Sequence, residues 1–155
     1  EIRYEVDESL WNKTLKINEL IILVVGFIGC VYGRTFIQKL FFLIENELFK
    51  DMDLNYIKYH YGPYSTELRD AVEALKRKEL IKDVCIIMDG HVGHCYELTE
   101  KGKHKFTSLD TKTSRVASKL NSFCDRYKEY KPSELLRLVY SKYPLWTVNS
   151  VRVNN

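Results

Sequence analysis

Residues 20–25 are apolar without interruption, and the run resumes past Gly26 through Phe27, Ile28, Cys30 and Val31. Asn18, Glu19 and Arg34 bound it, so it falls short of the roughly 20 apolar residues that span a bilayer. It reads instead as a helix buried on every side, with Gly29 placed to end it. The rest of the chain has to supply its cover. With 155 residues, 45% of them apolar and 29% charged, there is enough chain for one domain with its own core, and disorder throughout is excluded.

The remaining pattern alternates helices with short β-prone runs. Ile2, Tyr4 and Val6 alternate with charged residues, so residues 1–14 read as a tail or short strand ahead of a core over 15–109. Thr35, with Gln38 three residues on, has capping-box spacing and predicts a second helix over 36–49. Residues 55–61 suit a strand rich in aromatic residues that Gly62-Pro63 ends. Ser65 then caps a third helix running to about Lys78, with Leu68, Ala71, Val72 and Leu75 on one face. Residues 84–88 and 94–98 read as a hairpin, or wing, joined by the five residues 89–93. Thr99 caps a short helix, residues 108–113 form a polar break, and 110–155 add two further helices to the same compact unit. The first of these, 112–130, sets Val116, Leu120, Phe123 and Tyr127 at the repeat of a coiled-coil seam, predicting a homodimer. The second begins at Pro132 and stops at Pro144.

The order helix, helix, strand, helix, strand, strand is that of a winged helix-turn-helix. The expected fold class is therefore mainly α with a small antiparallel β wing (α+β), a winged helix-turn-helix core plus C-terminal helices.

Four cysteines match neither a dense disulfide framework nor paired C-x-x-C metal sites, so reduced thiols in the cytoplasm are the simplest expectation. The lesser reading is a disulfide between Cys85 and Cys95, on the two arms of the hairpin. Glu1, Glu5, Asp7 and Glu8 stand where a signal peptide carries positive charge, and a chain that does not open on Met is expected to be trimmed or partial. Neither a membrane segment nor a cofactor is expected.

Three stretches resemble a known group: G-R-T-F-I-Q-K-L-F-F-L-I-E at 33–45, Y-H-Y-G-P-Y-S-T-E-L at 59–68 and Y-E-L-T-E-K-G at 96–102. Together they are similar to the YwgA-like and SocA-like (Panacea) families, prokaryotic and phage proteins that include antitoxins, and residues 139–150 also look like the tail of YwgA-like members. The resemblance covers nearly all of the chain from Leu15. It implies a helical, winged-helix-type domain that acts by binding, and leaves the ligand open.

The net charge of +3 is too small to prove a nucleic-acid partner, but residues 110–155 hold nine basic against four acidic residues. Lys112, Arg115, Lys119 and Arg126 form a stripe beside the seam, a footprint for phosphates or simply a solvated flank. On the third helix Ser65, Thr66, Arg69, Lys76 and Arg77 are placed to reach duplex DNA, joined by Arg34 and by His91 and His94 of the wing. Against this, Glu67, Asp70, Glu73 and Glu79 cancel the helix's basic residues. His91 and His94 have H-x-x-H spacing, but Cys95 next to His94 would point to the opposite strand face, so no metal site is expected. Among eleven tyrosines, Tyr56, Tyr59, Tyr61 and Tyr64 suggest a stacking platform for single-stranded nucleic acid, but packing against the second helix explains them better, with Tyr64 left as a candidate contact. No phosphate loop, H-E-x-x-H or G-x-S-x-G is present, and the acids are scattered over amphipathic helices. The expectation is a non-enzymatic, dimeric, DNA-binding regulator of transcription. The alternative is a protein-interaction or antitoxin-like adaptor that does not read DNA.

Overall fold

The computed structural model describes residues 15–60 and 62–147. Ile2, Tyr4, Val6 and Tyr61 lie outside these. In chain order the elements are α1 (Ile17–Ile28), α2 (Gly33–Glu47), β1 (Ile57–Tyr59), β2 (Gly62–Tyr64), α3 (Thr66–Arg77), β3 (Ile81–Met88), β4 (His91–Leu98), α4 (Glu100–Lys112), α5 (Ser114–Tyr127), α6 (Pro132–Lys142) and a 3-10 turn (Pro144–Thr147). The protein is thus mainly helical with two small antiparallel sheets, β1–β2 and β3–β4. Among the described residues no helix is long and apolar enough to cross a membrane.

Helix α1 is the centre of the core, and Leu20 through Val25 are each no more than 1% exposed. Its cover comes from several sides at once, since α3, α4, α5 and β4 all pack on it. At its start the Lys16 amide donates to Glu19 Oε1 at 3.0 Å. At its end Gly29 takes a φ of 92°, which lets its N–H close on the Val25 carbonyl at 2.8 Å. Gly26 has a packing reason: a Cβ there would lie 2.2 Å from the Phe106 ring of α4, which meets Phe27 edge to face.

Helix α2 starts at Gly33, three residues before the expected position, and the proposed capping box between Thr35 and Gln38 is not formed. Gln38 is buried and turned elsewhere. Its Oε1 accepts from the Ser65 amide at 2.8 Å while its Nε2 donates to the Ser65 carbonyl at 2.9 Å. Ser65 does cap α3, with Oγ accepting from the Leu68 amide at 3.0 Å, and that hydroxyl also donates to the Leu54 carbonyl at 2.6 Å. These bonds lock the N-terminus of α3 onto the middle of α2.

Of the strand expected over 55–61, the described residues form only β1, Ile57–Tyr59. Gly62-Pro63 opens a second strand instead of ending the first, in register Ile57 to Tyr64, Lys58 to Pro63 and Tyr59 to Gly62. The pairing survives the proline because only three residues pair in each strand of this isolated hairpin. Gly62, at a φ of 95°, lies against α6, where an added Cβ would stand 2.9 Å from Leu136.

The wing is longer and its turn tighter than expected. Asp89 and Gly90 alone connect β3 to β4, at φ values of 51° and 80°, the two positive angles of a type I′ turn. Val31 pairs with Tyr96 at the base of the wing through amide-to-carbonyl bonds of 3.1 and 2.8 Å, tying the α1–α2 junction to β4. In the wing register Cys85 faces His94 and Cys95 faces Val84, so Cys85 and Cys95 point to opposite faces and cannot bridge. Cys95 is joined instead to Cys30, just beyond α1, with Cα atoms 5.4 Å apart. The expectation of four reduced thiols fails for this pair.

The expected break at residues 108–113 is shorter, since α4 runs to Lys112 and only Thr113 separates it from α5. The seam of α5 is not an exposed stripe either. Val116 is 6%, Leu120 0%, Phe123 1% and Tyr127 5% exposed, all within the core of a single chain that packs α5 on α1 and α4. These four side chains are already covered and cannot form the predicted dimer interface. Helix α6 packs on α2 and is fastened there by Glu47, whose Oε2 accepts from Lys142 Nζ and the Tyr143 hydroxyl, each at 2.9 Å.

Candidate nucleic-acid interface

Two clefts meet at Arg34, the second residue of α2. The first, of about 480 Å³, lies between α2, the β1–β2 hairpin and α3. Arg34 and Thr35 face it from α2, Thr66 and Arg69 from α3, and Ile57, Tyr59 and Tyr64 from the hairpin. Lys39 contributes from beneath, only 2% exposed, with Nζ donating to the Pro63 carbonyl at 3.1 Å. Among the described residues no carboxylate lines this cleft directly, although Asp70 pairs with Arg69. The second cleft, of about 590 Å³, runs from Arg34 and Thr35 toward the wing, where Lys76, Asp83, His94 and Tyr96 line it. A separate depression of about 620 Å³ at the start of β3 alternates Lys76, Lys82 and Lys101 with Glu79, Asp83 and Glu100. Its mixed lining makes the single sign of the first cleft the more distinctive.

Charges on the exposed face of α3 are largely held by each other. Arg69 directs Nε and Nη2 to Asp70 Oδ1 at 3.1 and 3.0 Å, and hydrogen bonding to Asp70 and to Tyr64 raises its already high pKa. Lys76 Nζ lies 2.8 Å from Asp83 Oδ2 and 3.1 Å from Glu73 Oε2, with the Tyr96 ring beneath it at 5.9 Å. The hydrogen bond to Asp83 leads the rise in its pKa, against some desolvation. Within α3 Glu73 pairs with Lys76 and Asp70 with its neighbour Arg69, while strand β3 supplies Asp83.

Of the side chains expected to reach DNA, Arg34, Thr66 and Arg69 share the first cleft, while Lys76 and His94 line the second. Arg77 is exposed near the end of α3 and His91 at the wing tip. Ser65 is removed from the set, because it is fully buried and its hydroxyl is committed to Leu68 and Leu54. Lys112, Arg115, Lys119 and Arg126 line neither cleft. Arg126 lies over the Phe123 ring at 4.7 Å and the Tyr127 ring at 5.7 Å. His91 and His94 are three apart on one strand, so they face opposite ways and do not converge. Cys30, Cys95 and Glu97 bring potential ligand atoms within 4.8 Å of each other. With the two sulfurs joined in a disulfide, no thiolate is offered there.

On the hairpin wall of the first cleft, Tyr64 was expected as a contact, while Ile57 and the exposure of Tyr59 are what sequence reasoning missed. Tyr56 is inside as expected, its hydroxyl donating to the Gln38 carbonyl at 2.9 Å and burial pushing its pKa well up. Tyr59, assigned to the core, is instead 46% exposed and packs at 5.3 Å against Tyr64. The signal was Gly62: a glycine three residues after the end of an aromatic strand can take the left-handed φ that permits a return strand. No family model and no curated protein matches this chain.

Proposed function

We propose that this protein is a non-enzymatic, winged-helix binding module that contacts duplex DNA with Arg34, the start of α3 and the wing, and acts as a regulator of transcription. The single observation carrying this reading is the cleft that brings Arg34, Thr66 and Arg69 together, with Arg69 also paired to Asp70 at its edge. The winged-helix reading is supported by the order α1, Val31 bridge, α2, β1–β2 hairpin, α3, β3, β4, in which Val31 adds a single bridge beside β4 of the wing. The motif resemblance to YwgA-like and SocA-like proteins belongs to the same proposal. In such a fold the third helix faces the major groove, and cations at the preceding helix start hold phosphates. No dimer through α5 is part of it.

The test is fluorescence anisotropy of a labelled random duplex between about 50 and 200 mM salt, where phosphate contacts give a steep loss of affinity. Arg34→Ala and Arg69→Ala should each weaken binding and lower the salt slope by about one. A chain that binds no duplex at low salt refutes the reading. One observation favours a protein partner instead: Arg69 and Lys76 are paired to Asp70, Glu73 and Asp83, so the exposed face of α3 offers a balanced surface. Capture of one stoichiometric partner protein, lost in Glu73→Lys and unaffected by nuclease, would establish that alternative.

A further inference from the structure

We propose that the first cleft is a pocket for a single nucleotide unit, a phosphate ester carrying an unpaired planar base. Its two walls differ in chemistry. On one side the lining is Arg34, Thr35, Thr66 and Arg69, the last also paired to Asp70, with buried Lys39 bonded to the Pro63 carbonyl. Arginine forks match phosphate oxygens, and α2 begins at the same place with no side chain capping its first turn, so its amides add partial positive charge. On the other side Ile57 and Tyr59 are 52% and 46% exposed, two of the few large apolar side chains left uncovered among the described residues. In the β1–β2 register they share one face with Tyr64, and Tyr59 and Tyr64 are inclined 34° to each other. This wall suits the flat face of a base, which any ring can stack on without sequence readout.

The volume of about 480 Å³ is in the range of small-ligand sites. A ligand that is only an anion leaves the tyrosine wall bare, and one that is only apolar leaves the Arg34 side unmatched. A nucleotide satisfies both. The inference goes beyond duplex binding, because a paired base is stacked within its helix and cannot lie on Tyr59. The unit comes either from a free mononucleotide or from an unpaired position of a single strand.

The experiment is a calorimetric or NMR titration of the full chain with inorganic phosphate, a nucleoside, the matching nucleoside 5′-monophosphate and a short oligothymidylate. The monophosphate should bind at least ten-fold tighter than either phosphate or nucleoside alone. Tyr59→Ser should weaken the monophosphate roughly 10- to 100-fold, the usual effect of removing a stacking ring, and leave inorganic phosphate unchanged. Arg34→Gln with Arg69→Gln should weaken both. All three side chains are exposed, so a retained melting temperature shows that the fold is intact. Oligothymidylate that binds more than ten-fold tighter than the monophosphate and competes with it identifies a strand as the source, and weaker binding identifies the free nucleotide. No saturable monophosphate binding, or binding indifferent to Tyr59→Ser, overturns the proposal. Duplex affinity is measured separately by anisotropy on the native chain, so failure of monophosphate binding and failure of duplex binding are read independently.

Discussion

Reducing the Cys30–Cys95 disulfide should cost this protein a large part of its stability. The bridge joins residues 65 apart in sequence, and closing a loop of that length removes about 4 kcal/mol of chain entropy from the unfolded state at 25 °C. For 155 residues the unfolding entropy is of order 0.3 kcal/mol per degree, so the melting temperature should fall by roughly 10–15 °C. The effect has a local component as well. The bridge lies beside the Val31–Tyr96 pair, and with it open the amides of those two residues should exchange faster than those of α1. The assay is thermal and urea unfolding with and without a phosphine reductant, with a Cys30→Ala/Cys95→Ala variant as control. That variant should melt near the reduced chain and ignore the reductant. Thiol counting in denaturant without reductant should find two groups, Cys85 and Cys124. Four titratable thiols, or a shift below about 2 °C on reduction, would refute the reasoning.

Other expectations follow from burial and close approach. Leu120→Ala should lower stability by about 2–5 kcal/mol in urea without changing the molar mass in light scattering; a variant that loses mass at full stability would return α5 to an interface. Gly102→Ala should destabilise strongly, because its Cβ would stand 2.1 Å from the Leu80 carbonyl oxygen, an atom of the backbone that cannot swing away, whereas Gly90→Ala meets no neighbour and carries only the strain of its positive φ. Burial pushes the Cys124 thiol from its ordinary 9 up to about 12, so the unfolded chain releases this proton first as pH rises. Stability should then decline between about pH 9 and 12, by up to ~1.4 kcal/mol per pH unit from this group, and the decline should be shallower in Cys124→Ala.

Much of the helical framework was legible because its ends carry local chemistry. Gly29 stops α1, Ser65 caps α3 and Pro132 opens α6, each an effect of one residue on its own backbone. Where a polar side chain had two uses, the sequence was silent on which one prevails. Gln38 had the spacing of a cap but spends both ends of its amide on Ser65, 27 residues away. Helix α4 looked broken at residues 108–113, yet Thr107, Thr111 and Thr113 turn their hydroxyls back to carbonyls four residues earlier, which keeps them within or at the end of a helix. The wing strands extend beyond the expected limits because His91, Val92 and Gly93 are held by pairing and not by burial, so they leave no apolar signature. For the cleft, Arg34 and Arg69 were legible as exposed cations, but their meeting with Tyr59 depends on a hairpin only three residues deep.

The misassigned seam shows what hydrophobic periodicity does and does not specify. A repeat of three and four residues says that α5 has an apolar stripe; it carries no information on whether the cover comes from the same chain or another. That information lay in a different helix. With α1 apolar on every side, one chain of this length has to surround it with the stripes of several neighbours, and α3, α4, α5 and β4 are used for that purpose. Once α5 is committed to α1, the chain has no second apolar stripe on that helix to offer a partner copy. Lys112, Arg115 and Arg126 then flank a monomer core, exposed because they border it, and any contact they make with phosphates is independent of dimer formation.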